Sequence, residues 1–363
     1  SGPDSAKTLL EEVRWGIIGV GDVCEVKAGP AFQKAPGSRL VAVMRRTAHL
    51  AKDFAERHGV PRWYSEVHDL LDDPEVNAVY VATPPGSHVD VALQCAKRGL
   101  PTYVEKPAAR NATETRQLVE AFESYNVPLF VAYYRRGQER FIHARNVVES
   151  GILGPLTSLT YTMIKPQIKA PHIDGEGQLP WRLQAAAAGG GLVMDVGCHT
   201  IDIIDFIVGP LKEVRGDASR VLTDMPYAVE DSVVMTAAFG AGALATFSWS
   251  FAGPPDGSVD EIIVRGTKGE MQLSTFGNEA VRVITASADG PVEQRHEFVR
   301  PDHVHQPLVE TIVDELRGIS RHKCPSGGRN ALRVAVALDT VLAAYYGGRD
   351  DEFWTREDTW PGA

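Results

Sequence analysis

Short apolar runs alternate with amphipathic segments over the first 136 residues. The apolar runs are typical of parallel strands that are covered on both faces; they occupy residues 13–20, 39–44, 78–82, 101–104 and 127–132. Helical spacing is clearest in three segments between these runs, at residues 48–58, 89–98 and 112–125. The first two helices are expected to end at Gly59 and Gly99, since glycine commonly terminates a helix. Strands that alternate with helices in this rhythm predict a doubly wound parallel sheet.

The pattern changes after about residue 136. A predicted helix at residues 139–150 is followed by stretches in which apolar and polar positions alternate, at residues 156–165, 211–221, 232–239, 243–249, 261–266 and 270–273. Such alternation is typical of antiparallel strands with one face packed on helices. Two more helices are predicted, at residues 306–317 and 330–346. The other face of this sheet needs cover, which a partner subunit would supply.

Length and charge narrow the class of protein. A chain of 363 residues favours about two domains at ~150 residues each, and we place them at residues 1–136 and 137–363. The net charge of −10 argues against a nucleic-acid surface, which needs a clustered basic face. The sequence has no apolar window long enough for a membrane span and no apolar signal region at its start, so a cytoplasmic location is expected. A removed export signal remains an alternative.

A glycine-rich turn follows the first predicted strand. Residues 19–24, Gly-Val-Gly-Asp-Val-Cys, match the dinucleotide-binding pattern. Gly19 allows a tight turn, Gly21 lets the backbone approach a pyrophosphate, and Asp22 and Val23 open a helix whose amino end faces the phosphates. Cys24 stands where glycine or alanine is usual; because it is still small, we expect a slightly wider contact and no loss of binding. The alternative is a plain glycine turn.

The end of the second strand indicates which dinucleotide binds. An acidic residue here would bind the 2′-hydroxyl of NAD, whereas arginine accommodates the 2′-phosphate of NADP. The sequence has Arg45, Arg46 and Thr47 and no acid, so NADP(H) is favoured and NAD(H) stays possible. The alternative is a pair of solvated surface arginines.

Two further loops are expected at the carboxyl edge of the parallel sheet, where such folds bind ligands. The loop at residues 83–88 offers Thr83, Pro84 and His88 toward the cofactor, although His88 could simply start the next helix. The second loop is Glu105-Lys106-Pro107. The ammonium of Lys106 would polarise a reacting hydroxyl or carbonyl. A surface lysine before a proline turn is the alternative.

Residues 191–205 predict a helix that carries candidate catalytic residues. Asp195 and His199 lie four positions apart, so their side chains share one helix face and can form a proton-transfer pair. Cys198 makes a catalytic thiol conceivable, but a small buried cysteine is the simpler interpretation. None of the four cysteines has paired or zinc-type spacing, and we expect free thiols and no metal site.

Together these motifs resemble the Gfo/Idh/MocA oxidoreductase family, named for glucose–fructose oxidoreductase, inositol dehydrogenase and a rhizopine-catabolism protein. The resemblance runs through nearly the whole chain in the family's order, and it rests on Gly19-x-Gly21, residues 82–88, Glu105-Lys106-Pro107, Trp181-Arg182, the segment from Gly189 to His199, residues 229–231 and residues 266–269. It implies an amino-terminal Rossmann domain. It also implies a carboxyl-terminal α/β domain whose large open, mainly antiparallel sheet packs between subunits of a dimer or tetramer.

The resemblance also implies roles for individual residues. Lys106 matches the lysine that orients the substrate oxygen and the nicotinamide, His199 the proton-transferring histidine, and Asp195 the acid that assists it. Glu105 and Pro107 resemble positions that line the nicotinamide ribose, often with an unusual peptide before the proline. Trp181 and Arg182 resemble a pair that reaches the cofactor. Pro85 stands where many members have asparagine.

The expected activity is hydride transfer between NADP(H) and a secondary alcohol or ketone of a sugar, polyol or related cyclic alcohol. One alternative is a glycosidase-like member that recycles NAD within each turnover, so that no net NADPH forms. Another is a non-catalytic dinucleotide sensor, although a sensor has no need of Lys106, Asp195 and His199. Pocket-lining candidates are Tyr133, Arg135, Lys165, Trp181 and His303, and substrate specificity is expected from the loops at residues 166–179 and 251–259.

Overall fold

The computed structural model describes residues 9–167, 177–277, 280–319 and 322–363. The chain forms two compact units that interleave in sequence. The first unit comprises residues 1–108, 116–138 and 301–329, and the second comprises residues 109–115, 139–300 and 330–363. Each unit is therefore built from more than one stretch of the chain.

Six parallel strands form the sheet of the first unit. They are β1 (Val13–Ile18), β2 (Ser38–Met44), β3 (Arg62–Tyr64), β4 (Ala78–Val81), β5 (Thr102–Val104) and β6 (Leu129–Val131). Their spatial order is β3-β2-β1-β4-β5-β6, so the order reverses between β1 and β4. This is the Rossmann arrangement, and the predicted doubly wound parallel sheet is confirmed.

Eight strands form the sheet of the second unit. They are β7 (Leu156–Pro166), β8 (Lys212–Ser219), β9 (Ser232–Phe239), β10 (Ala243–Gly253), β11 (Val259–Gly266), β12 (Gly269–Leu273), β13 (Ala280–Thr285) and β14 (Val292–Glu297). The order is β14-β13-β12-β11-β7-β10-β9-β8. Only the β7–β10 pair is parallel, and the other described pairs are antiparallel. The predicted mainly antiparallel sheet is confirmed.

The described α-helices are distributed over both units. They are α1 (Asp22–Glu25), α2 (Gly29–Lys34), α3 (Ala48–His58), α4 (Val67–Leu71), α5 (His88–Lys97), α6 (Ala112–Ser124), α7 (Glu139–Glu149), α8 (Ala185–Ala188), α9 (Cys198–Val208), α10 (Gln306–Arg317) and α11 (Gly328–Tyr346). Helix α3 ends at Gly59, which has a left-handed backbone conformation, as its sequence predicts. None of the helices among the described residues combines the length and apolar character required to cross a lipid bilayer.

The helix α9 is buried on every side although it carries several polar residues. All side chains from Cys198 to Ile207 are buried. Residues of α11 pair with two of its carboxylates. Asp202 accepts a hydrogen bond from Asn330 at 2.9 Å, and Asp205 forms a bidentate ion pair with Arg333 at 2.7 and 2.8 Å. These contacts offset the cost of burying polar groups and fix α9 in the core of its unit.

Several elements differ from the sequence-based expectation. Strand β3 is missed because it has only three residues, and strand β14 is missed because all of its residues are exposed and no apolar pattern marks it. Strand β13 is also missed. The helix after the glycine turn is divided into the short helices α1 and α2. The segment at residues 191–205 is not one α-helix, since Val193–Gly197 forms a π-helical turn before α9 begins.

Candidate active site

The first unit brings its turn glycine against the loop that follows β4. Gly19 has a φ of +88°, and a Cβ built on it would lie 2.6 Å from Cγ2 of Thr83. Only glycine fits here for both reasons. The hydroxyl oxygen Oγ1 of Thr83 is buried and has no hydrogen-bond partner among the described residues. A polar atom left in this state at the point where strand order reverses fits a bound ligand.

Gly21 has a different reason to be glycine. Its φ of −146° is open to any residue, and the nearest protein atom to a Cβ built on it would be 4.0 Å away. Neither strain nor crowding within the protein therefore excludes a side chain. The space in front of Gly21 is therefore open to a ligand, and the role of this glycine in binding a pyrophosphate stays a prediction. Asp22 is exposed and Val23 is half-buried, and both lie in the four-residue α1.

Cys24 takes the third position of the turn and is fully buried. Burial raises the pKa of its thiol to about 12, so the thiol stays neutral at physiological pH. The close approach here is made by Gly29, because a Cβ on Gly29 would collide with the carbonyl oxygen of Cys24. The segment of α1 and α2 thus packs tightly with a cysteine in place of the usual glycine or alanine.

Three exposed residues follow β2 at the carboxyl edge of the sheet. They are Arg45, Arg46 and Thr47. Nowhere in the described part of the chain does either guanidinium find a hydrogen-bonding or ion-pairing side chain. Thr47 precedes α3, and its side chain makes no capping hydrogen bond. This edge therefore offers two cations and a hydroxyl that are available to an anionic ligand.

The loop after β4 is held from within by His88. This histidine is the first residue of α5 and is fully buried. Its Nε2 lies 2.6 Å from the carbonyl oxygen of Thr83 and its Nδ1 lies 3.1 Å from that of Ala108. The ring thus fixes the Thr83 peptide and starts a helix. Pro84 precedes the 3₁₀ turn Pro85–Ser87 in the same loop.

The loop after β5 is organised by the buried carboxylate of Glu105. Its Oε1 accepts a hydrogen bond from the hydroxyl of Tyr80 at 2.7 Å, and its Oε2 accepts one from the backbone N–H of Lys106 at 2.9 Å. The Lys106–Pro107 peptide bond is cis. Lys106 itself is half-buried. The side chain of Glu105 is thus used to place the backbone of Lys106.

Sequence reasoning missed His305, which lies beneath this loop. It is buried, and its Nδ1 is 2.9 Å from the hydroxyl of Tyr103. Its Nε2 is 3.5 Å from Oε1 of Glu105, which is too long for a hydrogen bond and leaves only an electrostatic contact. The ring also packs on Tyr134 with centroids 4.6 Å apart. Nothing in the local sequence marks this position, because its partners come from distant strands.

In the second unit, three consecutive glycines lead into the site segment. A Cβ on Gly189 would lie 2.6 Å from the backbone of Arg110, and one on Gly191 would collide with Glu230. The backbone N–H of Gly191 is 3.0 and 3.1 Å from the two carboxylate oxygens of Glu230. The hydroxyl of Tyr346 also donates to Glu230, and burial raises the pKa of this carboxyl. Close packing therefore leaves no room for a side chain at Gly189 or Gly191.

Asp195 and His199 follow on from this anchored glycine. The N–H of Asp195 donates to the carbonyl oxygen of Gly191 at 3.2 Å within the π-helical turn. His199 lies in the first turn of α9 and is buried, with its ring perpendicular to that of Phe276 at 5.6 Å between centroids. π-Helical turns are rare and often accompany functional sites. The adjacent Cys198 is buried, and its thiol donates to the carbonyl oxygen of Asp195 at 3.3 Å.

Trp181 and Arg182 open a 3₁₀ turn in the same unit. The guanidinium of Arg182 stacks on the ring of Trp181 at 4.3 Å, and its Nε lies 3.2 Å from Oδ2 of Asp195. Arg182 is about half exposed, whereas the Asp195 side chain is only 13% exposed. The pair thus provides a cation next to the predicted acid.

The remaining candidates lie in varied surroundings. In the first unit, Tyr133 and Arg135 are buried, and His303 joins the carbonyl of Val26 to the ammonium of Lys34 at 2.6 and 2.9 Å. Lys165 is half-buried in β7 of the second unit. Most of the predicted specificity loop at 166–179 lies outside the described residues. Of the predicted loop at 251–259, only residues 254–258 join β10 to β11, and the rest belongs to these strands.

Fold and site together define a dinucleotide-binding oxidoreductase. Two family models match the chain: "Oxidoreductase family, NAD-binding Rossmann fold" over residues 13–133, and "GFO/IDH/MocA C-terminal domain" over residues 141–272. The chain belongs to the Gfo/Idh/MocA family of NAD(P)-dependent oxidoreductases, as its motifs predict.

Individual relatives agree with this assignment. Oxidoreductase P35 of Formosa agariphila is 33% identical over 316 residues, covering 87% of this chain and 94% of that protein. Myo-inositol 2-dehydrogenase of Thermotoga maritima is 27% identical over 338 residues, covering 91% and 96% of the two chains. The solved structure of a levoglucosan dehydrogenase in complex with NADH superposes with a TM-score of 0.78 at 22% identity, over 91% of this chain and 96% of that one, which shows a shared fold.

The burial of His305 predicts a pH-dependent stability. Burial, with the nearby charges of Lys27, Lys106 and Arg135, lowers the pKa of His305 from 6.5 to about 3. The folded protein therefore keeps the ring neutral. The stability that this neutral ring contributes to the folded state is fully present above pH 6.5. As the pH falls from 6.5 toward 3, the imidazole of His305 binds a proton in the unfolded chain but stays neutral in the folded one. This difference reduces the free energy of unfolding by about 1.4 kcal/mol per pH unit.

Between pH 7 and pH 5, we therefore expect the free energy of unfolding to fall by about 2 kcal/mol less in His305→Gln than in the unsubstituted protein. Urea denaturation at the two pH values measures this difference. His49→Gln, which removes an exposed imidazole, is the control. If His305→Gln does not fold, His305→Asn serves in its place. Equal losses in all the proteins would contradict the prediction.

Proposed function

We propose that this protein is an NADP(H)-dependent oxidoreductase that transfers a hydride between the cofactor and a secondary alcohol or ketone of a sugar, polyol or related cyclic alcohol. Family membership supports the reaction type. The names of relatives support the substrate class, since they include myo-inositol 2-dehydrogenase and the 1,5-anhydro-D-fructose reductase of Ensifer adhaerens. In this proposal, residues 1–136 bind the dinucleotide, and residues 137–363 bind substrate and form the subunit interface.

The residues around the switch point fit a dinucleotide. The open space at Gly21 and the buried hydroxyl of Thr83 suit its pyrophosphate region, and the loop of Glu105, Lys106 and Pro107 suits its nicotinamide end. When bound, the cofactor supplies the redox chemistry by accepting or giving a hydride. The protein supplies binding, orientation and proton transfer. Pro84 and His88 would shape the wall of this site rather than carry its chemistry.

The observation that carries the NADP(H) assignment is the pair of guanidiniums after β2, which have no side-chain partner among the described residues. Arg45 and Arg46 are exposed, and the adjoining Thr47 adds a hydroxyl. No acidic residue stands in the sequence at this strand end to bind a 2′-hydroxyl and repel a 2′-phosphate. Two guanidiniums next to a dianionic phosphate form charge-assisted hydrogen bonds, which are among the strongest in proteins.

The proton-transfer roles follow from the second unit and from Lys106. His199 takes the proton of the substrate hydroxyl, and Asp195 stabilises the charge that then forms on the imidazole. In the first unit, the ammonium of Lys106 is suited to stabilise a developing alkoxide. Arg182, whose Nε lies 3.2 Å from Oδ2 of Asp195, orients that carboxylate, while Trp181 holds Arg182 by stacking. Ketone reduction uses the same steps in reverse.

We also propose that the eight-stranded sheet forms the interface of a homodimer or homotetramer. Alternate residues of β9 and β10 face away from the core, and among them Val234 is 54% and Leu244 is 65% exposed. Small polar residues such as Thr236 and Thr246 surround them. A broad face of small and apolar side chains suits self-association across a symmetry axis.

The cofactor assignment predicts the effect of reversing one charge. Arg45→Asp should raise the Kd for NADPH about 10- to 100-fold, because it removes one charge-assisted hydrogen bond and places a carboxylate that repels the 2′-phosphate. The Kd for NADH should stay within about twofold. Tryptophan-fluorescence titration measures both constants, and Arg116→Asp on the exposed surface of α6 is the matched control. Equal weakening of NADPH and NADH, or none, would contradict the NADP(H) preference.

The catalytic assignment predicts separable losses. His199→Gln and Lys106→Met should each lower kcat by about 10²- to 10⁴-fold, because these groups act on the substrate oxygen, and His199→Gln should leave NADPH binding nearly unchanged. Initial rates on a panel of sugars, inositols and anhydrosugars measure the effect. His68→Gln and Lys97→Met, which alter exposed residues, are the controls. A His199→Gln enzyme that keeps half of its kcat would exclude the proposed role.

The assembly proposal predicts a change of mass. Leu244→Asp, together with Val234→Asp, places carboxylates on the proposed interface and should shift an oligomer toward the monomer. Light scattering coupled to size-exclusion chromatography measures this, with Val336→Asp at an exposed position of helix α11 as the control. A monomeric unsubstituted protein, or an oligomer that the double substitution leaves intact, would refute the interface.

A further inference from the structure

One carboxylate in the second unit accepts hydrogen bonds from three consecutive backbone N–H groups. Asp260, on β11, accepts from Thr275 at 3.1 Å through Oδ1, and from Phe276 at 2.6 Å and Gly277 at 3.1 Å through Oδ2. These three residues follow the end of β12 and belong to no helix or strand. A turn held in this way has its backbone fixed by charge-assisted bonds rather than by regular secondary structure.

The residue at the centre of this turn contacts His199. The rings of Phe276 and His199 are 5.6 Å apart and 84° from parallel, within the range in which aromatic pairs attract. Phe276 is only half-buried, so core packing alone does not account for a large aromatic residue here. Its ring limits the rotation of the imidazole about the Cβ–Cγ bond.

A second connection ties the same turn to α9. The hydroxyl of Thr200, which follows His199 in the sequence, is 3.1 Å from Oγ1 of Thr275 and 3.1 Å from the hydroxyl of Tyr161. Tyr161 in turn donates toward Oδ1 of Asp260 at 3.4 Å. The turn at residues 275–277 and the first turn of α9 therefore share one polar network.

We propose that Phe276 is a positioning residue for His199 and that Asp260 acts through it by fixing the turn at residues 275–277. The proposal rests on the function proposed above, in which His199 transfers a proton. A general base needs its nitrogen within hydrogen-bond reach of the hydroxyl it deprotonates, and a ring that rotates freely spends less time in that geometry. Phe276 thus serves the rate of the chemical step and not the binding of cofactor.

The chain offers a matched control for this contact. Phe298 is also half-buried and packs on a histidine of the same unit, with 5.3 Å between its ring centroid and that of His143. Phe298→Leu therefore removes an equivalent aromatic contact from a histidine that has no proposed role. Asp289→Asn, in the exposed turn between β13 and β14, is the corresponding control for Asp260→Asn.

The first test does not depend on activity. In protein labelled with ¹³C at the ε1 carbon of histidine, His199→Gln and His143→Gln identify the two signals. We expect Phe276→Leu and Asp260→Asn to move the His199 signal by more than its linewidth and to leave that of His143 in place. Phe298→Leu should do the opposite. A His199 signal that stays in place in both site variants overturns the proposal, whatever the enzyme does.

The second test uses steady-state kinetics. In alcohol oxidation, Phe276→Leu should lower kcat about tenfold with the KM for NADP⁺ unchanged, whereas Phe276→Tyr, which keeps the ring, should stay within about twofold. A raised KM for the alcohol at constant kcat would overturn the positioning role and assign Phe276 to substrate binding. If the unsubstituted protein oxidises no alcohol, the proposed function fails, and the histidine signals still decide whether Phe276 orients His199.

Discussion

Carboxylates that accept hydrogen bonds from the backbone hold each candidate catalytic residue in its place. Glu105 binds the N–H of Lys106, Glu230 binds the N–H of Gly191 ahead of Asp195, and Asp260 binds the turn that contacts His199. In each case a buried or half-buried carboxylate accepts hydrogen bonds from backbone N–H groups, which cannot move away without losing these bonds. Such bonds cost much to break in a medium of low dielectric, so the loops they hold are rigid.

These anchors require close approach, which explains where glycine is indispensable. Gly191 must lack a Cβ for Glu230 to reach its N–H, and Gly189 must lack one to pack on Arg110. Gly19 packs on Thr83 in the same manner in the other unit. Gly21, by contrast, has open space in front of it, and it is the glycine assigned to a ligand. What a Cβ would meet thus separates the glycines that serve packing from the glycine for which we propose a role in binding.

The sequence predicted the two kinds of sheet and most of the helices because their residues bury one face or both, and burial leaves a period of 2 or 3.6 in the chain. Helix α10 agrees with its predicted bounds. Strand β14 could not be predicted because all of its residues are exposed and only its pairing with β13 makes it a strand. The π-helical turn at Asp195 also escaped prediction, since spacing of four residues suits an α-helix equally well.

The sequence by itself determined the family, the glycine turn, the basic end of β2 and the candidates Lys106, Asp195 and His199, because each is a short motif whose chemistry is local. Only the tertiary structure decided which groups support them. His305 reaches the hydroxyl of Tyr103 across 202 positions, and Asp260 reaches Phe276 across 16. Partners so far apart leave no spacing to detect, since the chain brings them together only when its sheets form. The positions of the supporting groups are thus properties of the fold and not of any segment.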